Sequence, residues 1–299
     1  MLSRLNAAGV DFDVANLETD PLIITEEHAA FYDLLLTGRV NDAVLAYAKG
    51  ADLDQKAAEL GVERKVLIAA DTTVNPPIVE VLESDDSLRR RRQLVIEAFS
   101  TAGPEGAYVF FALASHPHVS DVAVYDPNSG LANDGEALCV VASSQGDGVP
   151  TDAVLDSVAD FLDARIIRYA VTADRTRQIT RRQKLRPLTD KVIVEACEVL
   201  DYSITVLLKI PFGPDPASVV ALAQTRLTNY LASRRQISRL ISDTAIASAV
   251  HVADTDGVPL VDDANIVITV AGSPVSDVTP GPKQLARCVS AVVTYQVIQ

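Results

Sequence analysis

The sequence predicts an α+β fold: a helical N-terminal arm followed by two small α+β units with mixed or antiparallel sheets. Three observations carry this expectation. Apolar residues recur at helical spacing between residues 25 and 49. Short apolar runs with alternating polarity, as at 119–124, 191–199 and 202–210, recur through the remainder of the chain. Dense turn chemistry separates these runs, as in Asp126-Pro127-Asn128-Ser129-Gly130 and Gly146-Asp147-Gly148. The arm with its linker is expected at 1–80, the first unit at 81–200 and the second at 201–299.

In the arm, residues 1–24 mix acids with Gly9 and Pro21 and read as extended chain. Thr25 is an N-cap followed by Glu26 and Glu27, whose charges suit a helix N-terminus. The helix expected over 25–49 carries Phe31, Leu34, Leu35, Val40, Val44 and Tyr47. These six form a candidate partner-helix interface, because the polar arm and linker on either side offer little chain to bury them. Gly38 in mid-helix costs ~1 kcal/mol relative to alanine, which marks a close approach or a kink. Gly50 is expected to end this helix. Asp52 and Gln55 then form a capping box for a short helix at 53–60, closed by Gly61. Asn75-Pro76-Pro77 favours an extended link into the body.

The body opens with a helix that starts on Asp85 and Asp86 and carries four consecutive arginines, Arg89, Arg90, Arg91 and Arg92. At 100° per residue such a run spreads around the helix, so at least one guanidinium must face protein, either its own fold or a partner. Gly103 and Pro104 break the chain before a second apolar helix, and strands are expected at 119–124 and 136–142. A helix at 152–162 presents Val154, Val158, Phe161 and Leu162. Residues 165–186 are the one basic block of an acidic chain, and they read either as a docking loop for an acidic partner or as a solvated hairpin. Arg175, Arg177, Arg181 and Arg182 join Arg89–Arg92 as a candidate charged interface. In the second unit, Asp215 with Pro216 starts a helix, a further helix is expected at 237–250, and strands at 250–253, 265–270 and 291–298 complete it.

Composition narrows the function classes. The chain has 299 residues, a net charge of −14 and 48% hydrophobic residues, so a folded protein with an acidic surface is expected. Nucleic acid and anionic membranes repel such a surface, and neither is expected as a partner. No apolar run approaches the ~20 residues that span a bilayer. Cys139, Cys197 and Cys288 lie far apart in apolar runs and read as buried free thiols, not metal ligands. His116 and His118 are the one close histidine pair, without a third ligand nearby in sequence. The acid pairs Asp52/Asp54, Asp85/Asp86 and Asp262/Asp263 fall at caps or turns, where the backbone itself takes up a carboxylate. No catalytic residue, cofactor, metal or small-molecule ligand is expected.

Four segments carry a family resemblance: GADLDQKAAELGVER (50–64), STAGPEGAYVFFALASHPHVSDVAV (100–124), Gly146-Asp147-Gly148 and RPLTDKVIV (186–194). In this order, over roughly residues 20–270, they resemble the baseplate J-like proteins, wedge subunits of contractile phage tails and related injection machines. Against the family pattern, most of 166–184 is an insertion, the arm is short and 275–299 is an extension. The resemblance implies a non-enzymatic virion structural protein of the tail baseplate, assembled in the host cytoplasm. It implies a hetero-oligomeric wedge, usually two J-like chains to one chain of a second tail protein, with bundled N-terminal helices. Six wedges would join in a ring around the central hub, and ring widening would use hinges at 75–77 and 280–282. The alternatives are a soluble enzyme with an acidic active site, or an oligomeric scaffold of another kind.

Overall fold

The computed structural model describes residues 25–26, 28–33, 36, 40, 44–100, 103–162, 165–168, 171–175, 187, 190–254 and 256–298, with only the backbone at 165–168 and 171–175. The chain divides into two compact units. One comprises 1–64 with 83–90, and the other 65–82 with 91–299. Both halves of the body, expected as separate units, therefore belong to one.

In the first unit, residues 25–26, 28–33, 36 and 40 are helical. The helix does not continue to 49, because 44–47 form a turn in which Tyr47 and Ala48 N–H both donate to Val44 O. Gly50 does not terminate a long helix. It adopts φ +50° and opens helix α1 (Gly50–Ala58). Asp52 therefore lies in the first turn of α1, and no side chain caps the helix at Lys49. Gly61 closes α1 as expected, with φ +71° and its N–H on Ala58 O.

The second unit begins with an antiparallel ribbon of β1 (Val66–Ile68) and β2 (Val81–Leu82). Helix α2 (Asp85–Ala98) has its first residues in the first unit and the remainder in the second. Gly103 at φ +67° turns the chain into α3 (Glu105–Ser115), where a side chain at 103 would collide with Pro187. Glu97 Oε2 accepts the Gly106 N–H at 3.0 Å, so a carboxylate caps the positive end of α3.

The first half of the body is a five-stranded sheet. Its strands are β3 (Val119–Tyr125), β4 (Glu136–Ser143), β5 (Arg165–Arg168), β6 (Val171–Arg175) and β7 (Lys191–Ala196), in spatial order β3-β4-β7-β5-β6. β4 and β5 flank β7 in parallel, and β3 and β6 are antiparallel edges. Part of the basic block thus extends the sheet. α3 and α4 (Asp152–Leu162) cover one face, with Ala112, Leu113, Leu155, Val158 and Leu162 packed on Cys139, Val141 and Val194.

The second half is a four-stranded sheet. It contains β8 (Glu198–Pro211), β10 (Asp263–Val270), β11 (Ser273–Val275) and β13 (Gln284–Ile298), in the order β11-β10-β8-β13. The 15-residue β13 runs parallel to β8 along its whole length and begins earlier than alternation alone predicts. Helix α5 (Pro216–Ser233) is capped by Asp215, whose carboxylate accepts the Ser218 N–H at 3.0 Å. The helix expected over 237–250 is shorter. α6 spans Asp243–Val250 with Ser242 as N-cap, and Ile241–Ser242 form β9, paired with β12 (Asp277–Val278). Ile237 is drawn away from helix geometry by its bridge to Leu285.

The halves share a core. Leu138, Val140, Ala142 and Ile193 from the second face of the five-stranded sheet pack with Cys197, Ile237 and Leu285. Asp121, almost wholly buried, accepts the Ile237 N–H at 2.7 Å, and Lys283 reaches Glu195 at 2.7 Å. Tyr125 O–H donates to Pro282 O, Gln284 Oε1 accepts the Gly281 N–H, and Glu198 N–H donates to Lys283 O. Residues 280–284, which include the hinge expected at 280–282, are therefore tied on several sides.

Candidate functional site

Two surfaces were expected to carry function, the apolar face of the arm and the arginine clusters. Phe31, Val40 and Tyr47 are each about three-fifths exposed, and Val44 is exposed as well. Tyr32 and Leu36 share this exposure, and Phe31 meets Tyr32 edge-on at 6.1 Å. Leu34 and Leu35 lie outside the described residues. Exposed aromatic and aliphatic side chains concentrated on one short segment form the kind of surface that protein partners cover.

The arginine run is used differently. Arg89 Nε and Nη2 donate to Leu45 O (3.0 Å) and Ala48 O (2.7 Å), and Nη1 pairs with Asp86 (2.7 Å). It thereby satisfies carbonyl groups of the turn that follows the arm helix. Arg91 is buried, and Arg90 and Arg92 are half-buried. Arg175 lies at the end of β6, and Arg177, Arg181 and Arg182 lie outside the described residues.

Sequence reasoning missed the central residue of the first unit, Arg64. Its guanidinium pairs with Asp54 (2.7 Å) and Asp85 (2.7 Å) and donates to Glu83 O at 2.6 Å. Asp85 also accepts the Gly50 N–H at 3.2 Å. One planar donor fork thus ties α1, the turn before it and the start of α2. Burial opposes charge on Asp85, but the Arg64 and Gly50 donors outweigh it and hold the carboxyl below its ordinary range. The network therefore contributes stability at neutral pH that is lost as pH falls through that lowered pKa. The acids at caps were legible in the sequence. Their common partner was not, since Arg64 stands 10 and 21 positions away from them.

Elsewhere, the histidine pair is held by local hydrogen bonds. His116 Nδ1 accepts the His118 N–H at 3.1 Å, and Lys65 Nζ donates to His116 O at 3.4 Å. Burial, followed by His118 and Lys65, lowers the His116 pKa and favours the neutral ring. Among the described residues no group of three His, Cys, Asp or Glu side chains could hold a metal. Burial pushes the Cys139 and Cys197 thiols up to about 12, which keeps them protonated and unreactive. A cleft of about 460 Å³ between α3, β3 and β4 is lined by Glu105, Asp126, Glu136 and Asp190. Three of these acids serve their own fold: Asp126 binds Ser129 N–H, Glu136 binds Asn133, and Asp190 accepts from Tyr108 O–H at 2.5 Å.

Comparison with known proteins places this architecture. The baseplate J-like N-terminal domain matches residues 18–71, and the baseplate J-like central domain matches 100–196, together about half of the chain. Baseplate protein J of Escherichia phage P2 is 28% identical over 276 residues, covering 91% of this chain and 80% of that protein. The chain belongs to the baseplate J-like family. It is accordingly a structural protein of a phage-type tail baseplate, and its location is the virion. The structure of the anti-feeding prophage baseplate, six-fold symmetrised, contains a chain with a TM-score of 0.43 and 13% identity. That similarity covers 71% of this chain and less than half (45%) of the other. The N-terminal domain match contains the arm helix, α1 and Arg64, and the central match contains α3 to β7. The four-stranded sheet lies beyond both.

Proposed function

We propose that this baseplate protein is a non-enzymatic wedge subunit. Its N-terminal helix bundles with a second copy and with another wedge protein, and wedges join into a six-fold ring around the central hub. The observation that carries this reading is the exposed apolar face of the arm, Phe31, Tyr32, Leu36, Val40, Val44 and Tyr47, inside the segment matched by the family's N-terminal domain. Side chains of this kind are covered when helices associate. Arg64 and Arg89 anchor α1 and the turn at 44–48 that follows the arm helix.

Co-expression with the neighbouring tail proteins, followed by size-exclusion chromatography, tests the proposal. The chain is expected to co-elute in a complex. Phe31→Asp and Val44→Asp are each expected to abolish that complex while circular dichroism remains that of the folded body. A chain that stays monomeric with every tail protein tested would remove the wedge assignment. Loss of the whole fold in both variants would instead make this segment part of the core.

A further inference from the structure

Among the described residues, the outer edge of β13 carries little of the protection that soluble sheets ordinarily have. Residues 288–298, CVSAVVTYQVI, contain no charge, proline or glycine, in a chain of net charge −14. Edge strands are usually guarded by charges, prolines, bulges or a covering segment. The start of β13 is covered, since Ser238 N–H donates to Gln284 O at 2.8 Å and Ile237 bridges Leu285. Further along, Val289, Val292, Tyr295 and Val297 are exposed.

The backbone direction of this edge follows from the ladder. Successive strand residues point their N–H and C=O groups to opposite edges. Lys283 O faces β8, where it accepts the Glu198 N–H, and Gln284 O faces away. The one-residue irregularity between Cys288 and Ser290 inverts this alternation. Beyond it, Ala291, Val293, Tyr295 and Val297 direct their backbone groups outward. The side chain of Gln224 on α5 reaches Ala291 O at 3.2 Å, as that direction requires. Groups arrayed in this way are complementary to another extended backbone.

A second copy's β13 does not fit there. Antiparallel edge pairing about a two-fold axis would set the two β13 strands about 4.8 Å apart. α5 packs directly over β13, and packed helices need about 8–10 Å between axes, so the two α5 helices would collide. The edge calls for a strand with no helix behind it. The β1–β2 ribbon meets that description, since among the described residues its main packing partner is its own second strand. Val66, Ile68, Val81 and Leu82 are all exposed on it, and Val79, two residues before β2, is 78% exposed. A two-stranded ribbon is marginal in water without further pairing.

We propose that the outward edge of β13 takes up the β1–β2 ribbon of a neighbouring copy. The contact is head-to-tail, because donor and acceptor are different surfaces, and such contacts propagate into rings or filaments. It gives the second half of the body an assembly role separate from the helical arm.

Sedimentation equilibrium of the full chain over a range of concentrations tests this. The wild type is expected to show a mass that rises with concentration. Val293→Pro removes only an outward N–H and is expected to weaken self-association about tenfold or more, with the fold retained. Thr294→Pro removes an N–H directed at β8 and is expected to lower the urea midpoint instead. The double change Val79→Lys with Val81→Lys, and competition by a peptide of residues 65–83, are expected to match the effect of Val293→Pro. Val44→Asp, which addresses the arm, is expected to leave this self-association unchanged. A mass independent of concentration in the wild type, or a Val293→Pro variant that associates like it, overturns the proposal. An effect of Val293→Pro without any effect of the ribbon changes would give the edge to another strand and also overturn it.

Discussion

The two sheets of the body use similar strand residues and are covered differently. In β4 every residue from Leu138 to Ser143 is buried. α3 and α4 lie on one side of it, and Ile237 and Leu285 on the other. In β8 burial alternates from Tyr202 to Ile210, with Ile204, Val206 and Leu208 turned to the helices and Thr205 to the open face. Register places Val267, Thr205 and Val292 side by side on that open face. Continuous burial is the mark of a sheet covered on both faces, and alternation of one covered on a single face. The half inside the matched central domain is thus a closed layer structure, while the half beyond it keeps, among the described residues, a bare face and an unguarded edge.

Substitutions can break this contrast, beginning with the core that closes the first sheet. Leu285→Ala removes a fully buried side chain from the shared cluster and is expected to cost about 2–5 kcal/mol in urea unfolding. Asp121→Ala leaves the buried Ile237 N–H without that acceptor, an expected loss of about 1–3 kcal/mol by the same measurement. On the bare face, Val292→Thr should stay within about 0.5 kcal/mol of the wild type. If Val292→Thr proved as damaging as Leu285→Ala, the face would be covered in the isolated protein and the contrast would fail.

Much of this was legible along the chain. Turn residues, the caps at Asp215 and Gly61, the alternating strands and the four family segments all act locally, over a few positions. The readings that changed depend on distant groups. A helix at 237–250 satisfied periodicity, but its first turn competes with a bridge from Ile237 to Leu285, 48 positions away, and with Asp121. The Pro280-Gly281-Pro282 segment resembles a flexible linker until Tyr125, Glu195 and Glu198 are placed beside it. A lone acid in an apolar run, as in VSDVAV or KVIVEACEV, was the available signal for those ties.

Sequence by itself determined the fold class, the family, the net negative charge and the apolar residues of the arm. These follow from composition and from interactions within one or two turns of chain. Tertiary structure decided where the charges go. Arg64 meets Asp54 and Asp85, Arg89 turns to Leu45 and Ala48, and Lys283 meets Glu195. It also decided which sheet face and which strand edge remain open. Both outcomes depend on residues brought together by folding, and no spacing in the chain records that distance.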